Sequence, residues 1–326
     1  MKKNTSNSHI HLPNHLWLNI LIALMAATGL TSCFTGVEGT NKINLSRQDK
    51  KNLAPSPEDT FLADVKGLPL ARWEPGKEFI AAADRTALIF VQENLDVNPE
   101  SLGIGGKTLL YKGWETATAP DGTLKVIIDF DLDGKILKFD TSRPVEQASA
   151  EVVSSDIPMM IDVAMIQKAD SLMRGKSLWT RSSLWYNKEG HRTEGAKYVP
   201  VTIDSVIPGS LVFPAEVIFH DATGNVASMF MNLGNTASDS RSFPNIFSLS
   251  DPRTRYPSVI DEVWTLIQHG RVRPGMTKEE CRLSLGNPSD VASGHDWSQT
   301  LDIWRYDNGN YVFLRFEDGV LIDLRR

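Results

Sequence analysis

Four aspartates between positions 129 and 140 have the spacing of a cation-binding loop. Asp129, Asp131 and Asp133 alternate along the chain, Gly134 follows them, and Asp140 stands at the twelfth position of the pattern. Carboxylates spaced in this way around a tight turn can bind a hard cation such as Ca²⁺. The twelfth residue is Asp rather than the longer, bidentate Glu, however, and the flanking residues favour strands over helices. The pattern therefore predicts an Asp-Gly hairpin, and a metal site at these four residues is the less favoured alternative.

A second group of residues with binding potential is aromatic. Trp179, Trp185 and Tyr186 lie close together in the sequence. An exposed platform of such rings would stack on sugars or other flat ligands. Large aromatic side chains in small β-rich units more commonly pack in the core. The sequence leaves both interpretations open.

Histidine and cysteine are too few and too scattered to indicate catalysis or a zinc site. Beyond residue 33 the histidines are His191, His220, His269 and His295. None lies at metal-ligand spacing or beside an obvious nucleophile and carboxylate. Cys281 falls within a predicted helix, where a buried, unreactive thiol is expected. We therefore expect no catalytic residues, no cofactor and no enzyme activity.

Charge and composition narrow the class of partner. The chain has 326 residues, a formal net charge of -6 and only two cysteines. Proteins that bind duplex nucleic acid carry a basic surface that displaces counterions, so no nucleic-acid partner is expected. Two cysteines also exclude a small scaffold held together by several disulfides.

Residues 1–32 have the pattern of a signal peptide. Two lysines precede an apolar stretch, residues 16–30, that is shorter than a membrane-spanning helix requires. The stretch leads into Leu30-Thr-Ser-Cys33, which resembles the lipobox of bacterial lipoproteins. This resemblance implies cleavage before Cys33 and lipidation of its sulfur, with acyl chains such as palmitate holding the protein on a membrane. Phe34 stands where inner-membrane lipoproteins carry Asp, which favours the outer membrane, on the side facing the periplasm.

The remaining chain divides into a tether and three modules. Residues 33–60 comprise the lipidated cysteine and a flexible tether, because they are polar and lack apolar periodicity. Residues 61–145 and 146–250 are predicted to be two small β modules, similar to barrels or sandwiches. In the first module, residues 86–91 are expected to form a strand. A helix over residues 158–173 is expected at the start of the second.

The two β modules resemble each other at a few positions. Gly76-Lys77 and Gly175-Lys176 each precede an apolar stretch, and Gly134 and Gly224 mark similar hairpins. These matches predict an internal repeat. The alternative is two unrelated antiparallel sheets whose turns both require glycine.

The last module, residues 251–326, has the clearest pattern. Apolar residues of the segment 258–269 fall on one helical face, and Thr277-Lys-Glu-Glu280 is a capping box that begins a second helix. Gly286 ends this helix. Three strands follow, over residues 301–306, 311–316 and 320–324. The fold class expected for the whole chain is α+β, with mostly antiparallel sheets.

Residues of the last module resemble the BamE (SmpA/OmlA) family. The matching positions are Gly275, Met276, Thr277, Glu280, Leu285, Gly286, Pro288, Trp304 and Tyr306. The resemblance implies a domain of two helices and three strands in an outer-membrane lipoprotein that binds other proteins of the β-barrel assembly machinery. It implies no enzyme activity. The BamE domain is also similar in fold to the proteinaceous β-lactamase inhibitors.

These observations predict a non-catalytic envelope lipoprotein that acts through protein–protein interaction, in outer-membrane assembly or integrity. The membrane is reached through the lipid anchor, and the expected partner is another envelope protein. Two alternatives remain open. One is a lipoprotein that binds a glycan or other ligand, and the other is an inhibitor of an envelope hydrolase.

Overall fold

The structure, a computed structural model, describes residues 55–91, 102–233, 241–296, 299–307 and 311–326. Over these residues the protein is α+β, with three antiparallel sheets and few, short helices. The predicted signal peptide, Cys33 and the predicted tether up to residue 54 lie outside the described residues. Residues 57–60, predicted to belong to the tether, instead lie in the first helix, Pro57–Phe61, because the Ser56 side chain caps it and Glu58 is buried. Within the described residues, no helix combines the length and the apolar character that crossing a bilayer would require. The α-helices are α1 (Pro57–Phe61), α2 (Val145–Glu151), α3 (Val163–Met173), α4 (Phe243–Ile246), α5 (Asp261–Gln268) and α6 (Lys278–Leu285).

The first sheet has five strands in the order β4-β3-β2-β1-β5. They are β1 (Glu78–Ala81), β2 (Thr108–Thr118), β3 (Leu124–Leu132), β4 (Lys135–Pro144) and β5 (Met160–Asp162). β3 and β4 form the predicted hairpin, since Asp133 and Gly134 both have positive φ, as a two-residue turn requires. Gly134 N–H also donates to Asp131 Oδ1 at 2.7 Å.

The second sheet has seven strands in the order β12-β6-β9-β10-β11-β7-β8. They are β6 (Ser177–Thr180), β7 (Leu184–Tyr186), β8 (Arg192–Glu194), β9 (Pro200–Pro208), β10 (Ala215–Asp221), β11 (Val226–Met231) and β12 (Phe247–Ser248). Helix α3 packs on β9, and its Met165, Ile166 and Met173 join the apolar core beneath the sheet.

The first two sheets share one topology. The order β5-β1-β2-β3-β4 in the first matches β12-β6-β9-β10-β11 in the second, which the hairpin of β7 and β8 extends. A β-bulge also occurs at the same place in both sheets. Lys112 is the extra residue of β2 opposite β3, and Asp204 is the extra residue of β9 opposite β10. Because bulges are specific features of a strand pair, their coincidence supports the repeat hypothesis.

The two sheets also share a backbone hydrogen bond made by the glycine just before β1 and β6. Gly76 N–H donates to Tyr111 O at 2.7 Å, and Gly175 N–H donates to Ile203 O at 2.8 Å. Both glycines have positive φ, which other residues adopt only with strain. The Gly-Lys pairs noted in the sequence therefore precede equivalent strands.

The C-terminal sheet has four strands in the order β13-β14-β15-β16. They are β13 (Asp290–Asp296), β14 (Gln299–Asp307), β15 (Tyr311–Glu317) and β16 (Val320–Arg325). The expectation of three strands is wrong, because residues 290–296 pair along their whole length with β14. That segment is rich in Asp, Ser and Gly, which have low strand propensity, and only tertiary pairing makes it a strand.

The helix boundaries of the C-terminal module follow local signals. The Thr277 side chain accepts from Glu280 N–H at 3.2 Å, and Glu280 accepts from Thr277 N–H at 2.7 Å, which confirms the capping box of α6. Gly286 ends α6 with positive φ. α5 is shorter than predicted and spans Asp261–Gln268, since Ser258 to Ile260 precede it without helical geometry.

Two further predictions about local structure are wrong. Residues 86–91 are not a strand, because a 3₁₀ helix spans Asp84–Ile89 and the Thr86 hydroxyl ties it to Met159 O at 3.0 Å. The helix predicted over 158–173 begins only at Val163. Asp162 is its N-cap, accepting from Ala164 N–H at 3.0 Å, and the residues before it form β5.

Buried contacts connect elements that are distant in sequence. Glu58 of α1 is almost fully buried and accepts from the Ser248 hydroxyl of β12 at 3.0 Å. Between the second sheet and the C-terminal module, the ring of Tyr198 lies 5.6 Å from that of Trp264. The Lys197 backbone N–H donates to the carbonyl oxygen of Gln268, the last residue of α5. Burial lowers the pKa of the Lys197 ammonium group.

Candidate functional site

The C-terminal sheet has one face packed on the helices and one face exposed. On the packed face, Trp304 is 1% exposed, and its ring lies 4.6 Å from that of Phe316. Tyr306 donates its hydroxyl to Gly286 O at 3.1 Å, and burial raises the pKa of the Tyr306 phenol. These contacts bury this face of the sheet and connect it to the end of α6.

The side chains that alternate with this packed set point outward. Ile303, Tyr311 and Phe313 are 39%, 55% and 41% exposed. The rings of Tyr311 and Phe313 stack with centroids 6.4 Å apart. An antiparallel sheet with one solvent-exposed face ordinarily places polar residues on that face. Packing of the core therefore does not explain the exposure of these three apolar side chains.

Arginines surround these apolar side chains. The Arg305 guanidinium lies 6.0 Å from the centre of the Tyr311 ring. Arg315 lies 3.7 Å from Glu317, and Arg325 lies 3.1 Å from Asp323. We call this surface the outer face, and it comprises Ile303, Arg305, Tyr311, Phe313, Arg315, Glu317, Asp323 and Arg325. It contains a depression of about 540 Å³.

The outer face has the chemistry of a binding surface. Arg305, Arg315 and Arg325 lie on it with the acids Glu317 and Asp323, and Asp290 of β13 pairs opposite Arg305. Exposed ion pairs add little to stability, so the arginines are not there chiefly to hold the sheet together. Aromatic residues and arginine are the types enriched at the centres of protein interfaces.

The residues of the predicted family motif support this sheet from behind. Thr277 and Glu280 cap α6, Met276 is buried, and Gly275 N–H donates to Leu321 O at 2.8 Å. None of the nine motif positions belongs to the outer face. The sequence carried a signal for that face in Tyr311-Val-Phe-Leu-Arg-Phe-Glu317, but both alternating sets contain aromatic residues. The pattern therefore could not show which set is exposed.

The four aspartates of the possible cation loop do not converge. Each carboxylate faces a different lysine, at 3.4 Å for Asp129, 3.7 Å for Asp131 and 3.9 Å for Asp133. Asp140 pairs with Lys125 on the neighbouring strand. In the part of the chain that the structure describes, no three His, Cys, Asp or Glu residues are grouped to hold a metal ion. These contacts give the metal alternative no support.

The three aromatic residues of the possible ligand platform do not form a shared exposed surface. Trp185 is 7% exposed and packs edge-on against Phe219, with ring centroids 5.0 Å apart. The Arg253 guanidinium lies over the Trp179 ring at 5.0 Å. Tyr186 is only partly exposed on β7. The contacts of Trp185 and Trp179 are those of packed side chains.

His220 has a partner that the sequence did not indicate. It lies on β10, and its Nδ1 is 2.8 Å from Asp204 Oδ1. Asp204 is the bulge residue of β9. In the first sheet the equivalent bulge residue, Lys112, lies 3.7 Å from Asp131. In both sheets the bulge residue therefore pairs with a side chain on the neighbouring strand, Lys112 with Asp131 and Asp204 with His220.

Cys281 is fully buried, as predicted. Burial raises the pKa of its thiol to about 12, so the thiolate is scarce at neutral pH. This placement gives the thiol a packing role in the core beneath the C-terminal sheet.

Comparisons of the chain with protein-family models, curated proteins and solved structures found no match. The resemblance to the BamE family therefore rests on the sequence motif alone.

Proposed function

We propose that this protein is a non-catalytic lipoprotein of the bacterial envelope that binds a protein partner through the outer face. Cys33 carries the lipid anchor, and the protein lies on the outer membrane and faces the periplasm. The partner interaction serves outer-membrane assembly or integrity. Two barrel- or sandwich-like β modules precede a C-terminal domain of BamE type, and the function needs no cofactor, metal or nucleic acid.

The observation that supports the binding role is the exposed apolar centre of the outer face. Ile303, Tyr311 and Phe313 are exposed on the same face of the sheet; Tyr311 and Phe313 stack, and Ile303 lies diagonally across from Phe313, opposite Arg315. Contiguous apolar surface on a soluble domain commonly marks an interaction site. The rings lie on β15, which is paired with β14 and β16, so binding would order little additional backbone.

The arginines define the chemistry of the partner. Arg305, Arg315 and Arg325 are exposed, and a guanidinium can form two parallel hydrogen bonds to one carboxylate. Each of the two acids on the face already lies beside an arginine. We therefore infer a partner that presents an apolar side chain ringed by Asp or Glu.

Site-specific photo-cross-linking in intact cells tests the binding role. A photoreactive residue replaces Phe313 in the full chain, and the matched control replaces Ile136, which is equally exposed at 41% but lies on β4. We expect a discrete light-dependent adduct with an envelope protein from position 313 and none from position 136. R305E combined with R315E should weaken the adduct. Identical adducts from both positions, or none from either, would overturn the binding role.

The anchor has its own test. Metabolic labelling with an alkyne fatty acid should modify the full chain, and Cys33→Ser should abolish the label and release the protein from membranes. A membrane-bound, labelled Cys33→Ser protein would contradict lipidation at this residue.

The hydrolase-inhibitor alternative would use the same outer face. It would be recognised if the adduct partner were a hydrolase that the protein inhibits on titration.

A further inference from the structure

The hairpin that joins β9 to β10 carries exposed apolar side chains at its end. Leu211 is 44% exposed and Val212 is 69% exposed, the largest fraction among the large apolar residues of the described ranges. Ser210 N–H donates to Phe213 O at 2.7 Å, and Phe213 N–H donates to Ser210 Oγ at 3.3 Å. We call residues 210–213 the apolar tip. Its hydrogen bonds close the turn and fix the exposed pair in place.

The equivalent hairpin of the first sheet is polar. It joins β2 to β3 through Pro120, Asp121, Gly122 and Thr123, all of them exposed. Asp121 Oδ1 accepts from Thr123 N–H at 2.9 Å, as in an ordinary Asp-Gly turn. The shared topology therefore does not require an apolar turn at this position, and Leu211 and Val212 need another explanation.

The apolar tip lies near the point where the described chain begins. Phe61 of α1 packs on Phe243 of α4 with ring centroids 4.6 Å apart. Just before α4, the Arg241 guanidinium lies 5.0 Å from the centre of the Phe213 ring. Lys66, soon after α1, lines one cleft of about 630 Å³ together with Leu211 and Val212. The N-terminal segment and the apolar tip thus belong to one region of the fold.

The length of chain before this region limits its distance from a lipid anchor. Cys33 stands 22 residues before Pro55, and a random coil of that length has an end-to-end distance of roughly 25 Å. A lipid at Cys33, as in the proposed function, would limit how far Pro55 can be from the bilayer, and the apolar tip belongs to the same region of the fold as the residues that follow Pro55. The cleft is lined by one base, Lys66, and one acid, Asp156. The Arg241 guanidinium over Phe213 adds a positive charge beside the tip, which suits anionic headgroups.

We propose that the apolar tip inserts Leu211 and Val212 into the surface of the membrane that carries the anchor. The proposal rests on the lipidation of Cys33 within the proposed function. A lipid surface fits the tip better than a protein does, because a stable protein interface buries about 1,200 Å² or more and two side chains supply only a small part of that. A bilayer accepts a small apolar projection without a shaped partner.

Fluorescence of a labelled tip tests the insertion. The full lipidated chain is purified and reconstituted in vesicles of phosphatidylethanolamine and phosphatidylglycerol, some containing doxyl-labelled lipids. Val212→Cys carries an environment-sensitive dye, and Asp121→Cys, on the equivalent polar turn, is the matched control. Cys281 is buried, and a lipidated Cys33 has no free thiol, so the dye reports the chosen position. We expect a blue-shifted emission at position 212 that doxyl lipids quench, and water-like, unquenched emission at position 121.

The other outcomes overturn the proposal in distinguishable ways. Water-like emission at position 212 from protein that floats with the vesicles refutes insertion but leaves the anchor intact. A blue shift without doxyl quenching assigns the tip to a protein contact. Quenching at both positions shows that the whole body lies on the bilayer and that the tip is not selective. Failure of the protein to float refutes the anchor itself, and the insertion proposal falls with it.

Discussion

The ion pair between Lys77 and Asp162 is the charged contact whose loss should cost the most stability. The Lys77 Nζ–Asp162 Oδ1 distance is 2.7 Å, and the two side chains are 9% and 1% exposed. Asp162 Oδ1 also accepts from Ala164 N–H, and Oδ2 accepts from the Ser154 hydroxyl. One carboxylate thus neutralises Lys77, caps α3 and holds Ser154.

Two substitutions separate the charge from the cap. Lys77→Met removes the cation but keeps the apolar stem of the side chain. Asp162→Asn removes the negative charge but keeps an N-cap side chain of the preferred type. Removing one partner of a buried ion pair leaves an uncompensated charge and typically costs about 3–5 kcal/mol. For Lys77→Met we expect about 3 kcal/mol, at the lower end, because two hydrogen bonds still satisfy the carboxylate.

Urea unfolding of the full chain, followed by tryptophan fluorescence and by circular dichroism, measures these losses. The matched control is Arg174→Met, which breaks an exposed pair on α3 with the Arg174 side chain 58% exposed and its Asp170 partner 22% exposed. Surface pairs of this kind contribute about 0.3–0.5 kcal/mol, so the control should hardly move the midpoint. Coincident curves from both probes are required before a single free energy is derived.

The double variant carrying Lys77→Met and Asp162→Asn decides between charge and packing. With both charges removed, the double variant should lose less than the sum of the two single losses, giving a coupling of at least about 1 kcal/mol. Strictly additive losses would show that the two side chains matter only as separate packing groups. Single losses no larger than that of Arg174→Met would refute the buried ion pair altogether.

Two further predictions concern the C-terminal module. Thr277→Ala should destabilise the protein by about 1 kcal/mol through loss of the capping box, and Thr277→Ser should restore nearly all of it. Equal urea midpoints for the Ala and Ser variants would contradict the cap. Cys281, with its thiol pKa raised to about 12, should not react with a thiol reagent at pH 8 in native Cys33→Ser protein. One thiol should react after denaturation, and rapid labelling of the native protein would contradict burial.

Features of this fold that depend on neighbours in sequence could be predicted from the sequence. The hairpin at Asp133-Gly134 and the cap at Thr277 involve residues one to three positions apart, and the structure contains both. The end of α6 at Gly286 is also decided by residues close in sequence. Such signals decide local structure because their hydrogen bonds close within a few residues, whatever the rest of the chain does.

Features that depend on distant partners were missed. β13 exists because residues 290–296 find β14, although their own composition disfavours a strand. The segment 86–91 has the composition of a strand, but most of it lies in a 3₁₀ helix that the Thr86 hydroxyl ties to the distant Met159 O. The outer face was missed for the same reason, since which side of β15 is exposed depends on where α6 packs.

The shared topology of the first two sheets allows requirements of folding to be separated from requirements of function. Where the two sheets agree, as in Gly76 and Gly175 before β1 and β6 and in the bulges at Lys112 and Asp204, the backbone explains the residue or the geometry. Where the two sheets differ, as in the turns that join β2 to β3 and β9 to β10, the shared topology does not decide which residue types occur. The turn at Asp121 shows that this hairpin closes with polar residues. Leu211 and Val212 therefore expose apolar surface that the shared topology does not require, and this difference between the two turns is the observation behind the proposed insertion.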